Sequence, residues 1–304
     1  MDKVTVLMST YNGIDYLDKQ MTSILNQDGV DVRLVVRDDG SSDGTQEKIT
    51  QYEKYSNVET YLETNIGWRN SFKRLLNELS GDSDYYAFAD QDDVWESNKL
   101  YEAIKCLKNN NSVLYMSNMK VVNNQLEFIK MEYPEDFRPS KKFPESFFEG
   151  IGTGATLVMS KELRDVIVQS FVESNLAHDA YIVAVARLLF PEQVYYDAES
   201  YILYRRHGGN ATGFGNADLS KVSLKQRYQR YKKNNNKPFT TRAKAIYKSY
   251  SADLSPKNRK ILRTIANADD NFLSAVKVFF SPVYRTKGLR KTAQIKYRVL
   301  MRSL

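Results

Sequence analysis

Tyr85-Tyr86-Ala87-Phe88-Ala89-Asp90-Gln91-Asp92-Asp93 is an apolar, aromatic run that ends in three carboxylates within four positions. A short, continuous apolar run is typical of a strand that is buried on both faces of a sheet. Like charges this close repel one another, so the cluster suggests a compensating cation. One interpretation is a hard divalent ion that also binds phosphate. The other is a solvated acidic turn. In either case Asp93 could cap the helix predicted from Val94.

Strands and helices alternate on both sides of this stretch. Apolar runs predict strands over residues 4–8, 32–36, 58–62 and 85–89, and helical spacing predicts helices over 14–25, 45–55, 65–79 and 94–108. The second half is less regular, with strands predicted over 113–122, 156–159 and 195–204 and helices over 161–171 and 179–189. The β-α-β-α order predicts an α/β fold with a mainly parallel sheet and right-handed crossovers.

Polar clusters follow three of the predicted strands. They span residues 9–13, 38–45 and 90–93. In a parallel sheet the carboxyl ends of the strands lie at one edge, where ligands bind near a reversal of strand order. This convergence favours a functional interpretation of the acidic cluster.

Composition limits the class of protein. A chain of 304 residues with 42% hydrophobic content can bury a sizeable core, as one large domain or one domain plus an appendage. The single cysteine, Cys106, excludes an intramolecular disulfide and a Cys-rich metal site, and it fits a reducing compartment. Because the start leads directly into a strand-like segment, we expect no signal peptide. The sequence contains no run of 18 apolar residues, so we expect no transmembrane helix.

The net charge of +7 conceals an asymmetry. Residues 220–304 hold 22 Lys and Arg against 3 Asp and Glu, whereas residues 1–219 hold 22 against 34. A basic tail on an acidic body indicates an anionic partner, either lipid headgroups or nucleic acid. The shift predicts a boundary near residue 215, between an acidic body over 1–215 and a basic region over 216–304.

Two further absences narrow the class. No Gly-x-Gly-x-x-Gly follows the first predicted strand, and no Gly-x-x-x-x-Gly-Lys-Ser/Thr occurs in the chain. A Rossmann dehydrogenase or a P-loop enzyme is therefore not expected.

Four residues have both a functional and a structural interpretation. Asp39 could accept a hydrogen bond from a nucleobase, or it could belong to a turn with Asp43 capping the next helix. Arg69 could pair with a phosphate or form a surface salt bridge. Asp179 could be a general base or a helix cap. His207 could complete a metal shell or be structural.

Six segments, taken in this order and spacing, resemble glycosyltransferase family 2. The resemblance runs from Val4 to about Gly213, roughly two-thirds of the chain. The segments are Ser9-Thr10-Tyr11-Asn12-Gly13, Arg37-Asp38-Asp39-Gly40-Ser41-Ser42-Asp43-Gly44-Thr45, Asn65-Ile66-Gly67-Trp68-Arg69-Asn70, Ala89-Asp90-Gln91-Asp92-Asp93-Val94-Trp95, His178-Asp179 and Arg206-His207-Gly208-Gly209-Asn210.

This resemblance implies a GT-A fold and an inverting sugar transfer from a nucleotide diphosphate sugar. Asp90-Gln91-Asp92 matches the family's Asp-x-Asp motif. Asp92 would then ligate Mn²⁺ or Mg²⁺ on the diphosphate, and Asp90 would face the ribose or the metal. By the same match Asp39 would bind the base, Ser9 and Tyr11 would flank it, and Arg69 would contact the phosphates. The full set implied to bind the nucleotide sugar is Ser9, Tyr11, Asn12, Asp39, Asn65, Arg69, Asp90, Gln91 and His207.

The catalytic base implied by the resemblance is Asp179. The family's usual pair at this place is Glu-Asp, and His178 stands where the Glu would be. His207 matches a position that touches the metal or the diphosphate in some members, so it is expected as a metal ligand beside Asp92. A single displacement needs one base and no covalent nucleophile.

The donor and the acceptor are narrowed further by the motifs Ala-Asp-Gln-Asp-Asp-Val-Trp and Arg-His-Gly-Gly-Asn. They most resemble those of bacterial rhamnosyltransferases of cell-surface polysaccharide synthesis, which implies dTDP-L-rhamnose as donor. Related enzymes with the same motifs use UDP-hexoses, so a UDP-glucosyl or UDP-galactosyl transferase is the alternative. The acceptor would be a glycan or a polyprenyl-linked glycan.

The basic tail lies outside the strong resemblance. It mixes Lys and Arg with apolar residues over 221–233, 275–280 and 288–304, as basic helices on an anionic membrane do. A cytoplasmic enzyme bound to the inner face of a bacterial plasma membrane is one interpretation. Packing on the catalytic domain and a homo-oligomer contact are the alternatives. Nucleic-acid binding is less favoured, because the acidic clusters would repel a polyanion.

Overall fold

The computed structural model of the chain describes residues 1–171, 176–208 and 237–304. A seven-stranded sheet runs through its first part. The strands are β1 (Asp2–Thr10), β2 (Val30–Asp39), β3 (Val58–Glu63), β4 (Tyr85–Asp90), β6 (Leu114–Ser117), β9 (Val158–Ser160) and β10 (Val194–Asp197). Their order across the sheet is β10-β6-β9-β4-β1-β2-β3, and only β9 is antiparallel to its neighbours. The predicted α/β fold with a mainly parallel sheet is confirmed.

A smaller sheet carries the residues that follow β4. It has the order β5-β11-β7-β8, with β5 (Val94–Trp95), β7 (Lys120–Val122), β8 (Phe128–Met131) and β11 (Ile202–Arg205). β5 is antiparallel to β11. This pairing brings the acidic turn that precedes β5 next to β11, although the two are far apart in the sequence.

The helices connect these strands and then form the C-terminal region. In chain order they are α1 (Ile14–Leu25), α2 (Thr45–Thr50), α3 (Trp68–Arg74), α4 (Lys99–Asn109), α5 (Glu145–Glu149), α6 (Lys161–Val168), α7 (His178–Leu189), α8 (Pro238–Tyr250), α9 (Pro256–Ala266), α10 (Phe272–Phe280) and α11 (Leu289–Leu300). A single π-helical turn, Leu75–Leu79, extends α3.

The core of the large sheet is built from its central strands. Val4, Val6 and Met8 of β1 have no exposed surface, and they pack with Leu17 and Met21 of α1. Full burial of each such side chain contributes about 1.5–3 kcal/mol. The apolar runs therefore hold the sheet rigid, and the polar residues at its carboxyl edge are placed by that rigidity.

Three predicted elements differ from those observed. The helix predicted over 94–108 is wrong at its start, because Val94 and Trp95 pair with β11 and α4 begins only at Lys99. The strand predicted over 113–122 is two strands, interrupted where the Asn118 side chain bonds the backbone of Met119 and Tyr133. The strand predicted over 195–204 is likewise β10 and β11, which belong to different sheets.

The chain divides into two units. The first comprises Met1–Arg138, Gly152–Ala186 and Glu192–His207, and the second comprises Pro139–Ile151, Arg187–Pro191 and Gly208–Leu304. The boundary predicted near residue 215 and the basic segment 221–233 lie outside the described residues. The division into 1–215 and 216–304 therefore stays a prediction.

The second unit is helical in its described part. Ile246, Leu262 and Ile265 form its buried core with Val278 and Ile295. The Arg242 guanidinium of α8 donates to the Phe147 carbonyl oxygen at 2.7 Å and lies 4.3 Å from the centre of the Phe147 ring. The helical C-terminal region expected from the sequence is confirmed over 237–304. In the ranges that the structure describes, no helix is both long and apolar enough to cross a membrane.

Candidate active site

The site lies where the order of strands reverses. β2 and β3 follow β1 on one side, whereas β4 lies on the other. Ser9 and Asp90 are register partners near the carboxyl ends of β1 and β4. Open α/β sheets bind ligands in the crevice at such a switch point. The structure therefore brings the first and third polar clusters together.

Asp92 and His207 meet across this crevice. The Nε2 atom of His207 lies 2.7 Å from the Oδ2 atom of Asp92, and each side chain is 11% exposed. The His207 ring also packs on the Tyr16 ring, with centroids 4.6 Å apart. An imidazole nitrogen and a carboxylate oxygen are thus within hydrogen-bond distance of each other at this edge of the sheet.

Arg205 fixes the backbone on both sides of this pair. Its Nε donates to the Asp92 carbonyl oxygen at 2.7 Å, and its own N–H donates to the Asp93 carboxylate at 3.1 Å. The guanidinium also donates to the Asn124 carbonyl oxygen and lies over the Tyr16 ring. Because Arg205 is only 2% exposed, these bonds join β11 to the acidic turn in a dry environment.

Asp90 lies in an environment that disfavours its charged form. Burial, then the Asp92 carboxylate, then the Asp179 carboxylate raise the pKa of Asp90 to about 7. Each of these causes disfavours the charged form. Three carboxylates therefore act on one another at the end of β4, and a cation placed there would relieve their repulsion.

Asp93 is not the helix cap that the sequence suggested. It is fully buried, and its Oδ1 accepts the Arg205 N–H. Burial and then the Asp92 and Asp90 carboxylates raise the pKa of Asp93 well above its ordinary value. β5 and not a helix follows, so Asp93 holds the turn to β11.

Asp179 lies in the first turn of α7. Its Oδ1 accepts the Ala180 N–H at 2.6 Å, and the side chain is partly exposed. Since its charge raises the pKa of Asp90, the two carboxylates lie within electrostatic range of each other. The structure thus brings the predicted base to the acidic cluster.

His178 points away from this polar surface. Its ring lies 4.2 Å from the centroid of Phe72 and 4.6 Å from that of Phe88, and neither ring nitrogen has a hydrogen-bond partner among the described residues. Burial lowers the pKa of His178 to about 4, although the Asp179 charge opposes this shift. His178 is therefore a neutral, apolar support under α7.

The loop after β1 is held by side chains from the other two polar clusters. The Gln91 amide accepts the Tyr11 N–H at 2.7 Å and donates to the Tyr11 carbonyl oxygen at 3.0 Å. Asn12 exchanges bonds with the loop after β2, through Ser41 and Ser42. Gln91 and Asn12 therefore position the loop, while the half-exposed Tyr11 ring remains available to a ligand.

Asp39 is largely engaged by protein donors. Its Oδ1 accepts from Arg37 at 2.7 Å and from the Ile66 N–H at 2.8 Å, and its Oδ2 accepts the Gly67 N–H at 2.9 Å. A carboxylate has about four acceptor positions, so one is left for a nucleobase N–H. Arg37 also donates to Ser71, whose hydroxyl bonds Ser9 at 2.6 Å.

Arg69 and Asn65 lie where α3 begins. The Arg69 guanidinium stacks 4.3 Å from the centre of the Trp68 ring and makes no ion pair with any described residue. The surface salt bridge considered for Arg69 is therefore not formed within the described residues. Asn65 accepts the Gly67 N–H at 3.1 Å and shapes the same turn.

The metal site is incomplete when only protein ligands are counted. Across residues 1–171, 176–208 and 237–304, no three His, Cys, Asp or Glu side chains are grouped to hold an ion. Asp92 and His207 supply two converging donors beside the stressed Asp90. Mg²⁺ sites that bind substrate phosphates use one or two carboxylates and leave the other positions to water and phosphate. The donor set therefore fits an ion completed by a diphosphate.

Sequence reasoning missed the residues that support the site. Arg205, Arg37 and Tyr16 touch the predicted site residues but received no role. The only sequence signal is that Arg205 and Arg37 each end an apolar strand, where a buried cation needs a carboxylate partner.

Comparison with known sequences identifies relatives. The sequence model described as "Glycosyl transferase family 2" matches residues 5–167. The chain is 30% identical over 241 residues to "dTDP-rhamnosyl transferase RfbG" of Shigella flexneri, which covers 73% of this chain and 77% of that protein. It is 31% identical over 179 residues to "UDP-Glc:alpha-D-GlcNAc-diphosphoundecaprenol beta-1,3-glucosyltransferase WfgD" of Escherichia coli, which covers 57% of this chain and 66% of that protein.

A solved structure shares the fold. S. aureus TarS 1-349 in complex with UDP-GlcNAc superposes with a TM-score of 0.61, covering 100% of this chain and 82% of that one. The sequence identity is 16%, so this likeness concerns the fold.

Proposed function

The chain belongs to glycosyl transferase family 2, and on that premise we propose an inverting sugar transfer from a nucleotide diphosphate sugar. The acceptor is a hydroxyl group of a glycan or a polyprenyl-linked glycan in bacterial cell-surface polysaccharide synthesis. One observation carries the proposal: Asp90 and Ser9 are register partners at the switch point of the sheet, and in the turn after Asp90 the Asp92 Oδ2 atom lies 2.7 Å from the Nε2 atom of His207.

Asp179 performs the proton transfer in this proposal. Its carboxylate takes the proton from the acceptor hydroxyl, whose oxygen forms a bond to the anomeric carbon as the bond to the diphosphate breaks. Oδ1 is anchored by the Ala180 N–H, so Oδ2 is the oxygen that faces the acceptor. A single displacement on one face of the sugar inverts the anomeric centre.

Asp92 and His207 would hold the metal ion, Mn²⁺ or Mg²⁺. When bound, the ion offsets the charge that develops on the departing diphosphate. Arg205 keeps the Asp92 backbone in place for this role, and Asp90 faces the ribose or the metal. Two protein ligands leave room for diphosphate oxygens in the remaining positions.

The nucleotide lies along the loops after β1, β2 and β3. The remaining acceptor position of Asp39 receives the base N–H, with Ser9 and Tyr11 beside the base. Arg69, which stacks on Trp68 and has no described ion-pair partner, binds a phosphate. Asn12, Asn65 and Gln91 contribute mainly by shaping these loops around the donor.

We propose dTDP-L-rhamnose as the donor, since a relative with 30% identity is named a dTDP-rhamnosyl transferase. A UDP-hexose is the alternative, because a relative of similar identity is named for UDP-Glc. Its name also includes an undecaprenol-linked substrate, which supports a lipid-linked acceptor here. We further propose a peripheral location on the inner face of the plasma membrane, and a homo-oligomer contact of the basic region is the alternative.

The test is a donor panel with Asp179→Asn. The purified protein is incubated with dTDP-rhamnose, UDP-glucose and UDP-galactose, and release of the nucleoside diphosphate is measured with Mn²⁺. We expect hydrolysis of dTDP-rhamnose to be fastest. Because Asn keeps the bond to Ala180 but accepts no proton, Asp179→Asn should reduce turnover roughly a hundredfold or more.

Calorimetry on the same variant separates chemistry from binding. Donor affinity in Asp179→Asn should stay within about twofold of the native value. The control is Glu162→Gln, which changes an exposed acid in the first turn of α6 and should leave turnover and donor affinity unchanged. Lost donor affinity in Asp179→Asn would place Asp179 in the donor site instead. Tight binding of duplex DNA without donor hydrolysis would favour the nucleic-acid class.

A further inference from the structure

The C-terminal hairpin, residues 271–304, combines two properties that rarely occur together on a free surface. It contains eight Lys and Arg residues and no Asp or Glu. It also contains α10, whose sequence Phe-Leu-Ser-Ala-Val-Lys-Val-Phe-Phe is apolar at seven of nine positions. Only Val278 of that helix is buried. An apolar helix normally packs its apolar stripe against a core, so most of α10 lacks its expected partner.

The largest side chains of α10 are the most exposed. Phe272 is 75% exposed, Leu273 66% and Phe280 76%, and Leu300 of α11 is 66% exposed. Phe272, Phe280 and Leu300 border one apolar cleft of about 340 Å³ between α10 and α11, with Arg302 at its edge. The acidic side chains of the cleft are already engaged, since Asp270 pairs with Lys244 at 2.6 Å and Asp269 binds Thr240. Exposed apolar patches of this kind mark interaction sites.

The same hairpin carries exposed cations. Lys277 on α10, Arg285 in the connection, Arg290 on α11 and Arg302 after α11 are exposed and make no ion pair with any described residue. Lys296 has a different role, because its amine donates to the Val278 and Ser281 carbonyl oxygens at the end of α10. Four such cations around exposed Phe and Leu side chains match the pattern of a helix in a membrane interface.

We propose that the hairpin 271–304 is the surface that binds an anionic lipid bilayer. Phe272, Leu273 and Phe280 insert among the acyl chains, and the four cations bind headgroup phosphates. This inference rests on the membrane association proposed above and identifies the surface responsible for it. It does not depend on the sugar-transfer chemistry.

The charges distinguish a bilayer from the other occupants. A second copy would bring the same eight cations against this face, and like charges oppose that contact. A nucleic acid would neutralise the cations but would leave Leu273 and Leu300 against a hydrated phosphate backbone. Only an anionic bilayer buries the aliphatic groups and neutralises the cations together.

The test is sedimentation with vesicles of phosphatidylglycerol and phosphatidylcholine, against vesicles of phosphatidylcholine alone. The native chain should bind the anionic vesicles at least tenfold more tightly, and added salt should weaken that binding. Phe272→Ser/Leu273→Ser/Phe280→Ser should reduce the partition coefficient roughly tenfold or more, since three inserted apolar side chains are lost. Phe128→Ser/Ile129→Ser removes two exposed apolar residues of β8 and should change nothing.

Two further measurements keep the test independent of folding and of catalysis. Phe280→Trp adds a third indole to Trp68 and Trp95, and the fluorescence that it adds to that of the native chain should be quenched by brominated phosphatidylglycerol. Lys277→Gln/Arg285→Gln/Arg290→Gln should lose the preference for anionic vesicles. Donor hydrolysis in solution should be unaffected by any of these variants. The proposal would be overturned by equal binding to both vesicle types, by unquenched indole fluorescence from the Phe280→Trp variant, or by a dimer that the triple Ser variant converts to a monomer.

Discussion

His178 shows how one buried side chain connects the proposed base, Asp179, to the core. It precedes Asp179 at the start of α7, and its ring lies among Phe72, Phe88 and Trp68. The Gly154 backbone comes so close that a Cβ there would lie 2.5 Å from the His178 Nε2. A charged residue could not occupy this space without a partner. The first position of the His-Asp pair is therefore structural, and only the second faces the crevice.

This burial predicts a pH-dependent stability. Burial lowers the pKa of His178 to about 4, whereas the unfolded chain protonates it near 6.5. Between these values the unfolded state binds more protons, so stability falls as the pH drops through that window, by about 3 kcal/mol in full. His178→Leu should lack this component. Urea unfolding midpoints of both proteins at pH 7.5 and pH 5 check it, and equal acid sensitivity would contradict a neutral His178.

At the scale of elements, the local pattern of apolar residues predicted the long strands, but it did not predict which distant segments pair with each other. The long buried strands β1, β2 and β4 are visible as apolar runs, because both of their faces are covered. The strand Val94–Trp95 is not visible in this way, because a strand of two residues forms only by pairing with β11, more than a hundred positions away. The same distinction between local pattern and distant pairing applies to the candidate site. Its residues at strand ends were predicted, but the contacts of Arg205, Arg37 and Tyr16 depend on tertiary pairing.

Arg205 makes the β5–β11 pairing relevant to function. Its side chain joins β11 to the Asp92 carbonyl and so aligns His207 with the Asp92 carboxylate. Arg205→Lys keeps the charge but loses the planar fork, and it should raise the donor dissociation constant at least tenfold. Calorimetry with UDP or dTDP and Mn²⁺ measures this. Arg206→Lys is the matched control, because Arg206 pairs with Glu132 near the surface and should cost under about 1 kcal/mol. Equal effects of the two variants would refute an aligning role for Arg205.

In the whole molecule, the acidic clusters and the basic hairpin are two separate regions, and each has the charge to suit a different ligand. The acidic clusters of the first unit lie at the carboxyl edge of the sheet, where Asp90, Asp92 and Asp179 repel one another. The hairpin 271–304 carries only positive charge. Under the two proposals above, a cation would occupy the first region and an anionic surface the second, so a metal–diphosphate and a lipid headgroup would not compete.

This separation predicts that nucleotide binding stabilises the protein only when a divalent ion is present. Asp92 and His207 leave open positions on the ion that a diphosphate would fill, and without the ion the Asp90 and Asp92 carboxylates would repel the diphosphate. With dTDP and Mn²⁺ at about a hundred times the dissociation constant, the stabilisation is about 2.7 kcal/mol, measurable as a rise in Tm. EDTA should abolish the rise, and so should Asp92→Ala. Asp84→Ala removes an equal charge from the opposite edge of the sheet, where Asp84 accepts the Lys3 N–H, and should keep the rise. An undiminished rise in EDTA would mean that the diphosphate binds without a metal ion, and it would overturn the metal-binding role proposed for Asp92 and His207.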